Sequence, residues 1–426
     1  MNAIDKEQST VPKYAVFLAY TYLFVYYTRL QDNVLGLDAI PWVGVLFLLV
    51  TIWGFLQLFM QKENYFAKPI ALVFWLGVLF AITGIGAISV VSYSMSIKWI
   101  LTTFPQCVAL VVIFSSVSAL KKLHNFWIVI FLVMALFTLK NAPRGPGDFT
   151  NDPNDAALAL GMGIPFVFYA LYQTNLSIKR RFFYCAVLVI VLTGIIVTSS
   201  RGGFLGMVAG LLAIWWMSSN RLKTMMLGLV GMLIAGGLFL SFIPDSYKNE
   251  VQSISDTEDS TRVERLRTWE IGWEMFKANP ILGIGAGNFA NTSHLYQHKT
   301  SWWTGNEKSL SGRSAHSLYF QVIPELGLVG VFFYGYIMCV LPLRLLRIVK
   351  RFDVTDLKQF QIKLFCQALI ASMAAYAVAG VFISVAYYPH IPIWLVMYTI
   401  AMYGIKDTCG TAFLEGNKKQ KNKMRR

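Results

Sequence analysis

The segment Thr261-Arg-Val-Glu-Arg-Leu-Arg-Thr-Trp269 lies in the one long polar stretch of a chain that otherwise consists of successive apolar runs. This polar stretch covers residues 244–315 and gives way to the next apolar run at Ala315-His-Ser-Leu-Tyr319. Of the 426 residues 56% are hydrophobic and 14% are charged, whereas roughly a quarter of the residues in soluble proteins are charged. The pattern predicts an all-α polytopic membrane protein with one long loop that contains short helices.

The apolar runs are long enough to cross a bilayer, because a helix rises 1.5 Å per residue and needs about 20 residues to do so. We predict about twelve spans, at residues 12–28, 37–60, 69–90, 99–119, 124–139, 156–173, 182–198, 203–217, 224–243, 316–342, 361–386 and 390–405. Residues 1–243 then hold nine spans, 244–315 form the long loop, 316–405 hold three spans, and 406–426 form a basic tail. An even number of spans places both termini on the same side.

Basic residues indicate which side is cytoplasmic, because lysine and arginine concentrate in cytoplasmic loops. With these spans, the basic clusters fall on one face: Lys121–Lys122, Lys179–Arg181, Arg221 with Lys223, Arg344 to Arg351, and the tail from Lys418. Both termini are therefore predicted to be cytoplasmic, and the loops 140–155, 199–202, 244–315 and 387–391 to be external. The same rule accounts for the net charge of +15 without a nucleic-acid partner.

The long loop contains a predicted amphipathic helix. Thr261 and Glu264 have capping-box spacing, and the helix should run to about Lys277 and stop at Asn279-Pro280. On a 3.6-residue period the apolar face comprises Val263, Leu266, Trp269, Trp273 and Phe276. Arg262 and Arg265 lie on or beside that face, which predicts an anionic partner or a position at the lipid headgroups. The following Gly283-Ile-Gly-Ala-Gly287 has no predicted strand before it, so a tight turn is favoured over a dinucleotide-binding loop.

Three further residues stand out at the ends of apolar runs. Arg201 has little loop around it, so it is either functional or an interfacial arginine whose side chain reaches the headgroups. His316 begins an apolar run and is either a base or a capping or packing residue. Glu325 lies inside the same run, where a carboxylate must be paired or protonated. The five scattered cysteines do not have metal-ligand spacing, and His294 and His298 have no acidic ligands close by, so we predict no metal site.

Several of these stretches together resemble the O-antigen ligase and O-antigen polymerase superfamily of bacterial membrane glycosyltransferases. The similar stretches are Asn151–Asp155, Thr198-Ser-Ser-Arg-Gly-Gly203, Arg265-x-x-x-Trp269 with Asn279–Phe289, and His316-Ser-Leu-Tyr with Glu325–Gly330. They cover residues 150–340. Their order along the chain, with the long external loop between the Arg265 stretch and the His316 stretch, is more specific than any one of them.

The resemblance implies transfer of a glycan from undecaprenyl diphosphate to an acceptor hydroxyl at the periplasmic face of the bacterial inner membrane. Arg201 and Arg265 would hold the diphosphate, and His316 would orient or deprotonate the acceptor. Arg262, Arg313 and Glu325 are weaker candidates for substrate binding. The reaction is expected to invert the anomeric centre and to need neither a metal nor another cofactor.

The acceptor remains open at this stage. Lipid A core, which would make the protein a ligase, is favoured narrowly over a growing glycan in a polymerase or a protein in an O-oligosaccharyltransferase. A transporter or flippase of lipid-linked sugars would also need many spans and external arginines. No internal two-fold repeat is evident in the sequence, although transporters often contain one.

Overall fold

A computed structural model describes residues 11–415 apart from 35, 61–62, 116, 223, 227, 231–232, 234–236 and 238–259. Within these residues the regular elements are helices, and no strand occurs. The longer helices are α1 (Lys13–Thr28), α2 (Trp42–Met60), α3 (Ala71–Ala87), α4 (Val90–Phe114), α5 (Val117–Lys140), α6 (Pro153–Ala170), α7 (Ile178–Val197), α8 (Arg201–Met217), α9 (Ser260–Ala278), α10 (Leu318–Val349), α11 (Leu357–Ala379) and α12 (His390–Cys409). Short helical turns are Leu30–Asn33, Tyr65–Ala67, Asp148–Thr150, Phe289–Thr292, Ser293–Leu295, Gln297–Lys299 and Thr411–Glu415.

Six of these helices are long and apolar enough to cross a membrane, namely α2, α4, α7, α10, α11 and the Leu120–Lys140 part of α5. Helices α3 and α8 are apolar but shorter. The predicted class, an all-α membrane protein, is confirmed, whereas the count of twelve spans stays a prediction. Most of the predicted span 224–243 lies outside the described residues.

Contacts between loops group them at two ends of the helix bundle. At one end, which we call the site end, lie residues 141–152, 198–200, 279–317 and 380–389. Here the Asn33 side chain donates to the Pro146 carbonyl at 2.7 Å, and the Ser317 backbone N–H donates to Ser384 Oγ at 3.2 Å. At the opposite end, Gln173 Nε2 donates to Asn125 Oδ1 at 3.0 Å. These contacts place described loops at both ends of the bundle, while the number of spans and the end that faces the periplasm stay predictions.

Helices α6, α8 and α11 pack together at the centre through small residues. A Cβ atom added to Gly206 of α8 would lie 2.7 Å from Ala379 Cβ and 2.8 Å from the Ala375 carbonyl oxygen. Gly203, one turn earlier, is equally close to Ala157 of α6. Small residues let helix backbones approach closely where lipid supplies no hydrophobic driving force. This packing fixes the first residue of α8, Arg201, at the site end.

Helix α9 ends as predicted, but its cap and its buried face differ from the prediction. It begins at Ser260, so Thr261 already lies inside the helix. Its buried residues are Thr268, Ile271, Gly272 and Met275. Leu266 and Trp273, predicted to be buried, are 52% and 48% exposed. Close packing contributes, because Gly272 lets Phe289 and Phe320 approach the helix backbone, and the buried face is centred on Ile271 and Met275, which the predicted apolar face did not include.

Helix α10 is broken near its start. Gly327 has φ 60° and ψ −160°, outside the helical region, and Pro324 precedes it. A π-helical turn at Tyr336–Val340 follows, and the helix then continues to Val349, beyond the predicted end at residue 342. The break exposes backbone groups that the residues after α9 use, as described below.

Candidate functional site

His316 lies immediately before α10 and is exposed. Its neighbour Ser317 caps the helix, because Ser317 Oγ accepts a hydrogen bond from the Phe320 backbone N–H at 3.4 Å. The capping role considered for His316 therefore belongs to Ser317. His316 has a positive φ of 47°, a conformation that is costly for a residue with a side chain. Such strain is found preferentially at functional sites, because the surrounding structure must maintain it.

Helix α9 places Arg265 near this imidazole. One turn after Arg265, Trp269 stacks on Phe320 with ring centroids 5.0 Å apart. Trp269 Nε1 also donates to the Ala315 carbonyl at 2.9 Å, which ties α9 to the residue before His316. Partial burial and then the positive charge of Arg265 lower the pKa of His316 below its ordinary value, and Arg313 acts in the same direction. At neutral pH the imidazole is therefore neutral and able to accept a proton.

Arg201 is the first residue of α8. The preceding Ser200 caps the helix by accepting from the Gly203 backbone N–H at 3.0 Å, and its hydroxyl donates to Asn154 Oδ1 at 2.7 Å. Ser199 has a positive φ of 59°, as His316 has. The backbone two residues before Arg201 is therefore strained as well. The Arg201 side chain is exposed.

The start of α6 connects Arg201 with His316. Asp152 caps this helix, and its carboxylate raises the pKa of His316, opposing the effect of Arg265. Two residues further on, Asn154 binds Ser200, the neighbour of Arg201. On the other side, Phe382 packs against Gly202, and the same loop binds Ser317 through Ser384. Arg201 and His316 are therefore held by the same two segments, residues 152–154 and 382–384.

Glu325 is buried, with 1% of the residue exposed, and both of its carboxylate oxygens accept hydrogen bonds from other groups of the protein. Its Oε1 accepts from the Phe289 backbone N–H at 2.7 Å. Its Oε2 accepts from the Gly287 N–H at 2.9 Å and from the Tyr387 hydroxyl at 2.5 Å. Glu325 is thus paired, as its position in an apolar run requires. We reassign it from substrate binding to the positioning of residues 283–289.

The glycine-rich segment is a tight turn, as predicted. Gly283, Gly285 and Gly287 have positive φ values of 71°, 96° and 73°. The turn lies in the break of α10, where Ile284 N–H donates to the Pro324 carbonyl at 2.9 Å and Gly285 N–H donates to the Glu325 carbonyl at 3.0 Å. The turn thereby satisfies carbonyl groups that the break leaves without helical partners.

Residues 186–335 match the family model described as O-antigen ligase. This match supports the O-antigen ligase superfamily. The resemblance found in the sequence is confirmed, and Arg201, Arg265, His316 and Glu325 all lie within the matched residues. No curated protein matches the chain. Members of that family are membrane glycosyltransferase-like enzymes, and the family implies a lipid-linked glycan donor and a glycan acceptor.

Two weaker candidates of this O-antigen ligase domain are exposed near His316. Arg313 Nε lies 2.8 Å from Glu264 Oε1 in an ion pair. Arg262, one turn from Arg265 on α9, is also exposed. By contrast, Arg267 points elsewhere, and its guanidinium lies 4.9 Å from the ring centroid of Trp302.

The loop 380–389 supplies two residues that the sequence did not single out. The Tyr388 hydroxyl donates to Asp155 Oδ2 at 3.2 Å, and Tyr387 binds Glu325 as described above. Both tyrosines also line a cavity of about 630 Å³ between α1, α2, α4 and α12, together with Trp99, Phe47 and Lys98. These contacts join residues far apart in the chain, so no local pattern could reveal them. Within the described part of the chain, no group of three metal-ligating side chains is present.

Replacing Glu325 with glutamine is expected to destabilise the O-antigen ligase domain by roughly 1–3 kcal/mol, the cost of leaving buried donors unsatisfied. Glutamine keeps one acceptor oxygen and replaces the other with an NH₂ group. If the NH₂ group takes the place of Oε2, the Gly287 N–H and the Tyr387 hydroxyl lose their acceptor. Thermal unfolding in detergent measures the change. The matched control is Glu274→Gln, because Glu274 forms an ion pair with the exposed Lys277 of the same helix and not with the turn. Equal stability of E325Q and the wild-type protein would show that the carboxylate does not hold the turn.

Proposed function

We propose that this protein transfers a glycan from undecaprenyl diphosphate to a hydroxyl group of the lipid A core, at the periplasmic face of the bacterial inner membrane. The family match supports this class of reaction. Two contacts carry the assignment of residues. Trp269 Nε1 donates to the Ala315 carbonyl, which joins the helix of Arg265 to the residue before His316, and Ser200, the neighbour of Arg201, donates to Asn154 at the start of α6.

The leaving group of this reaction is a lipid diphosphate, and it needs positive charge as the glycosidic bond breaks. Arginine suits this role because its planar guanidinium forms bidentate hydrogen bonds with phosphate and does not lose its proton. We assign the diphosphate to Arg201 and Arg265, with Arg262 and Arg313 assisting from the rim. Stabilisation of the leaving group by preorganised charge is the larger contribution to catalysis.

His316 takes the proton of the acceptor hydroxyl in this proposal. Before the donor binds, the Arg265 charge favours the neutral imidazole. A bound diphosphate offsets that charge, so the pKa of His316 rises and the imidazole becomes a stronger base when the donor is in place. The acceptor oxygen then forms a bond to the anomeric carbon, and the bond to the diphosphate oxygen breaks. The proton goes to His316, the bonding electrons go to the diphosphate, and the anomeric configuration inverts.

The surroundings of the site are consistent with a lipid-linked donor. The aromatic cavity beside Tyr387 and Tyr388 has a volume of about 630 Å³ and lies among membrane helices, so we assign it to the first part of the polyprenyl chain. The basic residues Lys179, Arg180 and Arg181 lie at the end opposite to His316. The positive-inside rule favours the cytoplasm for that end and so supports a periplasmic position for the site.

A transfer assay with purified protein tests the proposal. The donor is a glycan on undecaprenyl diphosphate, and lipid A core, a glycan and a serine-containing peptide are offered as separate acceptors. We expect free undecaprenyl diphosphate and glycosylated lipid A core. Product formed only with the glycan indicates a polymerase, and product only with the peptide indicates a protein O-oligosaccharyltransferase. Movement of intact donor across a vesicle membrane without product would identify a flippase and overturn the proposal.

Transfer is expected to continue in the presence of excess chelator. The reason is that arginine side chains replace a divalent cation as the partner of the diphosphate. Initial rates with and without chelator, measured at fixed ionic strength, provide the comparison. A loss of transfer that added Mg²⁺ or Mn²⁺ restores would mean that a metal ion supplies the charge.

A further inference from the structure

A second cavity, of about 430 Å³, lies at the end of the bundle opposite to His316. Three cationic residues from separate parts of the chain line it: Lys68 before α3, Arg344 in the second half of α10, and Lys406 near the end of α12. Since α3, α10 and α12 meet here, the three charges converge only in the folded protein. We call this cavity the basic groove.

The walls of the basic groove are apolar and partly exposed at the surface of the helix bundle. They include Trp75, Leu72, Tyr336 and Leu341. Trp75 is 46% exposed and Tyr336 is 42% exposed, although both belong to apolar helices. Tryptophan and tyrosine are enriched where a membrane meets water. The groove therefore has charged groups at its mouth and an apolar side that faces the acyl chains of lipids.

The acidic residues near the groove do not neutralise it. Lys68 Nζ lies 3.2 Å from Glu63 Oε2 and 4.9 Å from the ring centroid of Tyr403. Asp407 follows Lys406 in the chain, and neither Glu63 nor Asp407 lines the groove. Across the part of the chain that the structure describes, Arg344 and Lys406 have no carboxylate within ion-pair distance. At least two positive charges are thus available to an anion.

We propose that the basic groove binds the headgroup phosphate of an anionic glycerophospholipid from the leaflet at that end. The cations meet the phosphate, and an acyl chain lies along Trp75 and Leu341. The apolar wall favours a lipid over a free phosphate ion, because inorganic phosphate gains nothing from it. Basic pockets between membrane helices are suited to anionic headgroups. The site is separate from the glycan-transfer site and does not depend on the reaction proposed above.

The test measures lipid binding to the delipidated full-length protein by native mass spectrometry, with phosphatidylglycerol and phosphatidylcholine as probes. We expect phosphatidylglycerol to bind at least tenfold more tightly. The double variant Arg344→Gln/Lys406→Gln should weaken its binding by roughly 25-fold, since each cation near a membrane surface contributes about fivefold. The matched control, Lys179→Gln/Arg180→Gln, removes two exposed cations of the same end outside the groove and should leave binding within twofold.

Four results would overturn the proposal. They are equal binding of the two lipids, equal weakening by the groove and control variants, displacement of phosphatidylglycerol by millimolar inorganic phosphate, and tighter binding of undecaprenyl phosphate than of phosphatidylglycerol. The glutamine variants keep polar side chains at exposed positions, and a thermal unfolding midpoint measured in lipid-free detergent verifies that they fold. The lipid-binding measurement does not use the transfer reaction. Failure of the proposed reaction would therefore leave the comparison between the two lipids valid.

Discussion

Arg201→Ala is expected to lower glycan transfer by roughly 10²–10³-fold, the usual cost of removing one preorganised group that stabilises developing negative charge. Arg201 occupies the first position of α8, where a cation opposes the helix dipole. The thermal unfolding midpoint of R201A, measured beside its activity, separates a loss of substrate contact from a loss of stability. A large loss of activity without loss of stability is the signature of contact with substrate.

Two further variants sharpen this prediction. Arg201→Lys keeps the charge but loses the bidentate geometry, so we expect activity between those of the alanine variant and the wild-type protein. The matched control is Arg180→Ala, which removes an exposed arginine near the start of α7 at the opposite end, and it should retain full activity. Transfer by R201A at the wild-type rate would remove Arg201 from the mechanism.

His316→Asn is expected to lower transfer by about 10²–10⁴-fold, the contribution of one general base. Asparagine is the informative replacement because it tolerates positive φ better than alanine does, and His316 has φ 47°. H316N therefore removes the base with little added backbone strain. His316→Gly also fits the backbone and should be equally inactive. If glycine or asparagine were active and only alanine inactive, the backbone and not the imidazole would be the important feature.

The pH dependence of transfer provides an independent readout for the same residue. Burial and Arg265 lower the pKa of His316 below 6.5 in the donor-free protein, so kcat/KM, which reports that state, should fall on the acid side only below that pH. Arg313 lowers this pKa and Asp152 raises it. Arg313→Gln should therefore shift the acid limb to higher pH, and Asp152→Asn, which keeps a capping side chain, should shift it to lower pH. Shifts in the same direction in both variants would contradict electrostatic control of His316.

The sequence predicted those structural features best that depend on residues close together in the chain. Apolar runs predicted the helical membrane class, and Asn279-Pro280 predicted the end of α9, since both depend on residues that are close in the chain. The glycines at 283, 285 and 287 predicted a tight turn for the same reason. The motifs around Arg201, Arg265 and His316 also predicted the superfamily, because charged residues at the ends of apolar runs are rare enough to be recognised.

The features that the sequence did not predict depend on long-range packing. The buried face of α9 is formed by Ile271 and Met275 beside Gly272, which Phe289 and Phe320 approach closely, and not by Leu266 and Trp273 of the predicted apolar face. Glu325 was identified as a buried carboxylate, but its partner Tyr387 lies 62 residues further along the chain. The link between Ser200 and Asn154 likewise joins residues that two predicted spans, 156–173 and 182–198, separate in the chain. Such pairings become visible only when the helices are assembled.

The most direct test of the account is the binding of a glycan on undecaprenyl diphosphate to the purified protein, compared between Arg201→Ala, Arg265→Ala and His316→Asn. If both arginines hold the diphosphate, each alanine variant should bind the donor at least about tenfold more weakly, since hydrogen bonds to charged groups contribute roughly 1.5–3 kcal/mol. The histidine variant should bind the donor normally and fail only in transfer. Donor affinity unchanged in both arginine variants would contradict the central claim that these two side chains and His316 form one site.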